Sequence, residues 1–274
     1  MTQVKKDFNE HLEELPITTQ DLYQTARRWE DIGLLGKAIE AYETLSTMHP
    51  EVAGFWMYLG QCFLKSHRLN DAVGCFQKVI TLEPDNRFAH SSLGHTNNEL
   101  GRYDEALRHL SAALELNPAH AGTYNNLGRA LSQGYHRFDD AKNCFLKAIH
   151  LDPNFDIAYN NLAAVHYELG EYDSAMDLYQ QALCLNPTYP LTYNNLGLIY
   201  MRTGELSEAI SHFRKAIDIN SSYVTAHYNL GCAYLTLKER EAVIDRIGIL
   251  SELDKDTAED LLMIYRETYR DLDH

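Results

Sequence analysis

Asparagine pairs recur along this chain at a nearly constant step. Asn125–Asn126, Asn160–Asn161 and Asn194–Asn195 follow one another at intervals of 35 and 34 residues, and Asn229 lies 34 beyond Asn195. A carboxamide carries both a donor and an acceptor, so a row of them can pair with the C=O and N–H groups of an extended peptide whatever its side chains. That is the chemistry of recognition rather than of bond making. The residues that make or break bonds are not so arranged. The thirteen histidines show no H-x3-H or H-E-x-x-H spacing, and His90 and His95, five apart, fall on different faces of a helix, so no metal site is expected. Cys62, Cys75, Cys144, Cys184 and Cys232 form no C-x-x-C pair, and four of them occupy places where a small apolar residue would serve, which predicts reduced, structural thiols. With no phosphate loop, no G-x-S-x-G and no Cys–His constellation, neither a cofactor nor catalysis is expected.

Composition narrows the partner. A chain of 274 residues that is 45% hydrophobic and 23% charged can bury a core and is not a disordered sequence. Its formal charge of −15 opposes binding to phosphate backbones, which requires a lysine and arginine surface to displace counterions, so nucleic acid is excluded as the expected partner. Residues 1–52, 53–236 and 237–274 each carry −5, so the two ends are denser in acid than the middle. Met1 to Phe8 run straight into charged residues without a continuous apolar stretch; neither a secretory signal nor a membrane span is expected, and the location read from this is cytoplasmic.

The elements that must position the asparagines follow from a period of 34. Trp56, Leu59, Gly60, Phe63, Ala72, Phe76 and Pro84 return as His90, Leu93, Gly94, Ala106, Ala113 and Pro118, then as Tyr124, Leu127, Gly128, Ala141, Phe145 and Pro153. Tyr159, Leu162, Ala163, Ala175, Tyr179 and Pro187 follow, and then Tyr193, Leu196, Gly197, Tyr200, Ala209 and Phe213. Leu22, Ala26, Trp29, Ala38 and Tyr42 make a weaker first block, while His227, Leu230, Gly231, Tyr234 and Ala242 open a seventh that reads as one residue short. Within a block, positions 4, 7, 8 and 11 form one stripe of a first helix, and the small residues at positions 8 and 20 let a second, antiparallel helix approach closely. Leu100-Gly101-Arg102-Tyr103-Asp104 reads as a helix stopped by glycine and another started by an aspartate N-cap; Asn117-Pro118, Asp152-Pro153 and Asn186-Pro187 stop the second helix.

This pattern is that of the tetratricopeptide repeat, which the chain resembles over residues 19–253. The resemblance implies an all-α fold, a right-handed α-α superhelix, with repeats at residues 19–52, 53–86, 87–120, 121–155, 156–189, 190–223 and 224–253. Such stacks need covered ends. Ala258, Leu261, Leu262 and Tyr265 suit a capping helix within residues 254–274, and Val4, Phe8, Leu12 and Leu15 give residues 1–18 a narrow apolar stripe for another.

The resemblance also places positions 2, 5, 6, 9, 12 and 13 of each first helix on a concave groove. The candidate peptide-binding residues are then Asn125, Asn126, Asn160, Asn161, Asn194, Asn195 and Asn229, with Arg129, Tyr167, Leu198 and Met201 around them. The function expected is a scaffold or adaptor holding an extended segment of a partner protein; the alternative is a structural subunit that uses its convex face or ends. A substrate-recruiting subunit of an enzyme is a weaker reading, and so is a co-chaperone, since the lysines of the carboxylate clamp that such proteins resemble are replaced here by Gly54, Phe88, Gly122, Ile157 and Leu191. One extra residue in Gln133–Asp139 makes Tyr135 and His136 a candidate contact ridge, although a plain loop insertion explains it as well.

Overall fold

The structure, a computed structural model, describes residues 12–270, and among them it contains fifteen helices and no strand. Two units are distinguished, one ending at Leu151 and the other beginning at Asp152. The first holds α1 (Ile17–Asp31), α2 (Leu35–Met48), α3 (Ala53–Lys65), α4 (Leu69–Leu82), α5 (Arg87–Glu99), α6 (Tyr103–Leu116), α7 (Ala121–Tyr135) and α8 (Phe138–Leu151). The second holds α9 (Asp156–Glu168), α10 (Tyr172–Leu185), α11 (Pro190–Thr203), α12 (Leu206–Ile219), α13 (Val224–Leu237), α14 (Arg240–Leu253) and α15 (Lys255–Tyr269). Within each unit consecutive helices pair, and first helices also touch first helices: α5 meets α7, and α11 meets both α9 and α13. No helix of the described residues is long and apolar enough to cross a membrane.

Close pairing depends on the small residue at position 8. A Cβ on Gly60 would come within 2.7 Å of the Phe76 ring, one on Gly128 within 2.7 Å of Phe145, and one on Gly197 within 2.5 Å of Phe213. Those rings are fully buried, so each pair is built around one aromatic lying on the backbone of the first helix.

The turn inside each pair has a fixed form. Gly33, His67, Gly101, His136, Gly170, Gly204 and Lys238 all take positive φ, between 52° and 87°. Glycine adopts that conformation freely, whereas an L-residue loses roughly 1–2 kcal/mol in it. Lys238→Gly is therefore expected to stabilise the protein by about 0.5–1 kcal/mol, raising the melting temperature by roughly 2–4 °C per kcal/mol; thermal denaturation of the variant checks this. The expected aspartate N-cap is corrected: α6 is preceded by Arg102, which gives no side-chain cap, and Asp104 sits in the first turn. There its charge faces the positive end of the helix. The extra residue of the 121–155 block lengthens α7, and the Tyr135 hydroxyl donates to Asp104.

Position 4 does more than fill the core stripe. Trp56 Nε1 donates to the Pro50 carbonyl (3.1 Å) and the Tyr193 hydroxyl to the Pro187 carbonyl (3.2 Å), while the Nε2 atoms of His90 and His227 lie 3.0 Å from the carbonyls of Pro84 and Ser221. Each ring thus presents a polar tip to a carbonyl six residues earlier, in the turn that precedes its helix. This explains why the position accepts Trp, Tyr and His but not a plain aliphatic residue in these blocks.

His90 has a second contact. Its Nε2–H donates to Pro84, so its Nδ1 accepts from His109 Nδ1 (3.1 Å), and His109 Nε2 accepts from Arg108 (3.2 Å). All ring nitrogens are satisfied only while both rings are neutral. Burial, then Arg108 and His90, push the His109 pKa down to about 4. An unfolded histidine titrates near 6.5, so between those values the unfolded chain binds a proton that the folded one does not. Stability contributed by neutral His109 is present above about pH 6.5 and is lost as pH falls towards 4, by about 2–3 kcal/mol in all. Urea melts at several pH values should show this slope, and His109→Gln should flatten it.

The last pair departs from the sequence reading. The block is not short: α14 begins at the same offset as the other second helices, and Val243, fully buried, stands at position 20 where the others carry alanine. Gly231 is covered not by α14 but by Leu261 of α15, 2.5 Å from where a Cβ would lie. Ala258, Leu261 and Tyr269 are buried with Tyr234, Val243 and Leu250, and Leu262 and Tyr265 are half-buried. Asp254 caps α15 by accepting from Thr257 N–H (3.1 Å). At the other end Leu12 is buried and Leu15 packs on the same core as Tyr23 and Ala26; Val4 and Phe8 lie outside the described residues.

Candidate functional site

The asparagines divide into two kinds. Asn161, Asn195 and Asn229, at position 6 of α9, α11 and α13 in the second unit, are half-buried, as is Asn126 on α7 in the first. Those at position 5 are not on an open face: Asn125, Asn160 and Asn194 are 4%, 3% and 2% exposed. This corrects the expectation that both positions meet a ligand. A single apolar stripe predicts one buried face per helix, but a first helix here also packs sideways on the neighbouring first helix, and position 5 falls in that contact.

In that contact the position 5 amides act as internal connectors. Thr192 Oγ1 donates to Asn160 Oδ1 at 2.6 Å, joining α11 to α9, while Asn160 Nδ2 donates to the Asp156 carbonyl of its own helix. Asn229 Nδ2 donates to Asn194 Oδ1 at 2.8 Å, joining α13 to α11, and Asn194 Nδ2 reaches Asn195 Oδ1 at 3.4 Å. The Tyr179 hydroxyl also hydrogen-bonds Asn195. The buried amides therefore fix the orientation of Asn195 and Asn229. Asn229 has one N–H on Asn194 and retains a second N–H and its carbonyl oxygen for another partner. In the first unit Ser91 and Thr123 make the equivalent link (2.9 Å), and Asn98 Nδ2 donates to the Asn126 carbonyl (2.7 Å).

The remaining candidates are also engaged. Arg129 pairs with Glu99 at 2.8 Å, and Tyr167 accepts from Arg202 Nε at 3.3 Å with its ring tilted on Tyr172. Leu198 and Met201 are partly buried against the core that contains Tyr234 and Leu235. They support the face rather than project from it. Of the two ridge residues, Tyr135 is tied to Asp104 and His136 is the left-handed turn residue.

A cavity of about 720 Å³ lies in the first unit, and none of the candidate peptide-binding residues lines it. Arg27 on α1, Tyr58 and Lys65 on α3, and Arg87 and Phe88 on α5 line it. Most of its lining stands at positions 2, 5, 6, 9, 12 and 13 of α1, α3 and α5, which the resemblance placed on the groove, but the residue types differ from block to block. Among the described residues no group of three or more His, Cys, Asp or Glu is placed to hold a metal ion.

Two family descriptions match this chain. One, a TPR repeat, matches residues 94–134, 137–170, 165–204 and 197–238; the other, a tetratricopeptide repeat, matches residues 53–86. Tetratricopeptide repeat-containing protein trd-1 of Caenorhabditis elegans is 30% identical over 144 residues, 52% of this chain and 18% of that protein. BBSome complex member BBS4 of Xenopus tropicalis is 27% identical over 134 residues, 49% of this chain and 26% of that protein. The chain thus matches only a fifth to a quarter of these relatives' length. The crystal structure of a tetratricopeptide repeat protein from Parabacteroides merdae superposes with a TM-score of 0.74 at 17% identity, covering 91% of this chain and 99% of that one, a likeness of fold. This chain is a member of the tetratricopeptide repeat family.

Proposed function

We propose that this protein is a non-catalytic interaction module whose second unit holds an extended segment of a partner protein along α9, α11 and α13. The observation that carries this is the placement of Asn161, Asn195 and Asn229 at matching, half-buried positions of three successive first helices, with the amides of Asn195 and Asn229 held in orientation by Asn194 beneath them. Amides fixed before binding lose less rotamer freedom when they pair with a peptide backbone. Asn126 offers the same group on α7 of the first unit.

A second reading rests on the relative named as a BBSome complex member and on exposed apolar side chains away from that face. Ile244 on α14 is 54% exposed and Met263 on α15 is 56% exposed, which suits a subunit packed into an assembly. Photocrosslinking separates the two. A photoreactive phenylalanine at Thr225, one helical turn before Asn229, is expected to capture the partner from native lysate, and one at Ile244 is not. Capture from Ile244 alone would favour the assembly reading.

A further inference from the structure

One position of the repeat carries opposite charges in the two units. The residue that leads into each second helix is Arg68, Arg102 and Arg137 in three successive pairs of the first unit, and Glu171, Glu205 and Glu239 in three successive pairs of the second. The backbone holds all six alike: the carbonyl of each accepts the N–H four residues on, at 3.0–3.1 Å. Their side chains are exposed, on the edge formed by the turns inside the pairs.

The arginines are engaged in ways that leave donors over. Arg68 Nε lies 2.7 Å from Asp71, Arg137 Nε and Nη2 both lie 2.7 Å from one oxygen of Asp140, and Arg102 Nη2 donates to Asn70 Oδ1 at 2.9 Å. A guanidinium has five N–H groups, and exposed pairs within one helical turn are worth little, so a second carboxylate can share each arginine. On the other row, Glu205 accepts from Thr203 Oγ1 at 2.9 Å and Glu171 lies against His166 Nδ1, which leaves carboxylate lone pairs for a further donor. Apolar side chains stand on the same edge. Ile32 and Leu34 of the first unit are 69% and 44% exposed, and Leu169 and Leu237 of the second are 40% and 41% exposed, surface that a partner would bury beside the charges.

We propose that this edge is a self-association surface, on which the turns of the first unit of one copy meet the turns of the second unit of another, arginine against glutamate. Sign and step together identify the occupant. The arginines lie 34 and 35 residues apart and the glutamates 34 and 34, so each row places one charge per helix pair, and the chain itself supplies the row that matches in step and opposes in sign. Two copies that each carry −15 repel over most of their surface, which confines association to an edge where the charges attract. This surface is separate from the asparagine face and does not depend on peptide binding there.

The test is sedimentation equilibrium of the full chain. Wild type at about 100 μM in about 20 mM salt, where exposed charges are little screened, is expected to show an average mass above that of the monomer, falling back towards it in about 0.5 M salt. R68E/R102E/R137E and E171R/E205R/E239R, each alone, should associate about tenfold or more weakly, with unchanged helicity by circular dichroism because the six side chains are exposed. An equimolar mixture of the two variants should regain association, since every glutamate edge of one then faces an arginine edge of the other. Disruption of the fold could not give that recovery. A monomeric wild type, a charge variant that associates as wild type does, or a mixture that stays monomeric overturns the proposal.

Discussion

Phe213→Ala is expected to destabilise the second unit by about 3–5 kcal/mol, a large share of the roughly 5–15 kcal/mol that holds a typical domain folded. The ring is completely buried and lies directly on the backbone of α11 at Gly197, so its removal leaves a void between two helices whose separation the ring itself sets. Relaxation is limited because both helices are also fixed by their neighbours. Gly197→Ala brings a Cβ to 2.5 Å from the same ring and is expected to cost about 1–3 kcal/mol by overpacking. Combined, the two changes should be less damaging than their sum, since the added methyl enters the space that the ring vacates. Urea denaturation of the two single variants and the double variant measures the coupling; strict additivity would mean that the residues do not press on each other.

Removal of residues 254–274 is expected to have an effect at least as large. Leu261 and Tyr269 are 0% and 2% exposed, and burying one large apolar side chain is worth about 1.5–3 kcal/mol. The deletion also uncovers Gly231, Tyr234 and Val243 and removes the ring of Tyr269 from beneath Arg240, whose guanidinium lies 4.3 Å from its centroid. Because repeats of this kind are stabilised chiefly by their neighbours, exposure at one end propagates inward. The truncated protein should melt at markedly lower temperature and bind a hydrophobic dye. Leu261→Ala gives the graded version, about 2–5 kcal/mol. A truncated chain that melts like the full one would show that α15 is peripheral.

The helix pairing was legible in the sequence because sterics leave few choices at position 8: where a side chain such as Phe213 or Leu110 lies directly on the backbone of the first helix, a Cβ would clash, and the recurrence of Gly60, Gly94, Gly128 and Gly197 records it. Val243 broke the alanine pattern at position 20, and counting for an alanine there made the last block seem short by one residue. The turn was half legible, since Gly101 and Gly204 announce a positive φ that His67 and Lys238 adopt without any sign in their side chains. At the candidate face, the spacing of the asparagines picks out α7, α9, α11 and α13 but not which of their amides are buried. Position 5 and position 6 are chemically identical in the sequence; burial by a neighbouring first helix, a contact between blocks rather than within one, separates Asn194 from Asn195. The cavity of the first unit was not legible because its lining, although mostly at groove positions of three first helices, repeats no residue type.

The central claim is that the first helices of the second unit hold a partner's backbone through Asn161, Asn195 and Asn229. Isothermal titration of the partner segment captured at Thr225 against wild type and N161A/N195A/N229A tests it most directly. Each lost amide pairing removes about 0.5–1.5 kcal/mol, so single variants should weaken binding several-fold and the triple variant by about tenfold to a thousandfold, with helicity by circular dichroism unchanged. A folded triple variant that binds the segment with wild-type affinity would contradict the claim and move the binding site off this face.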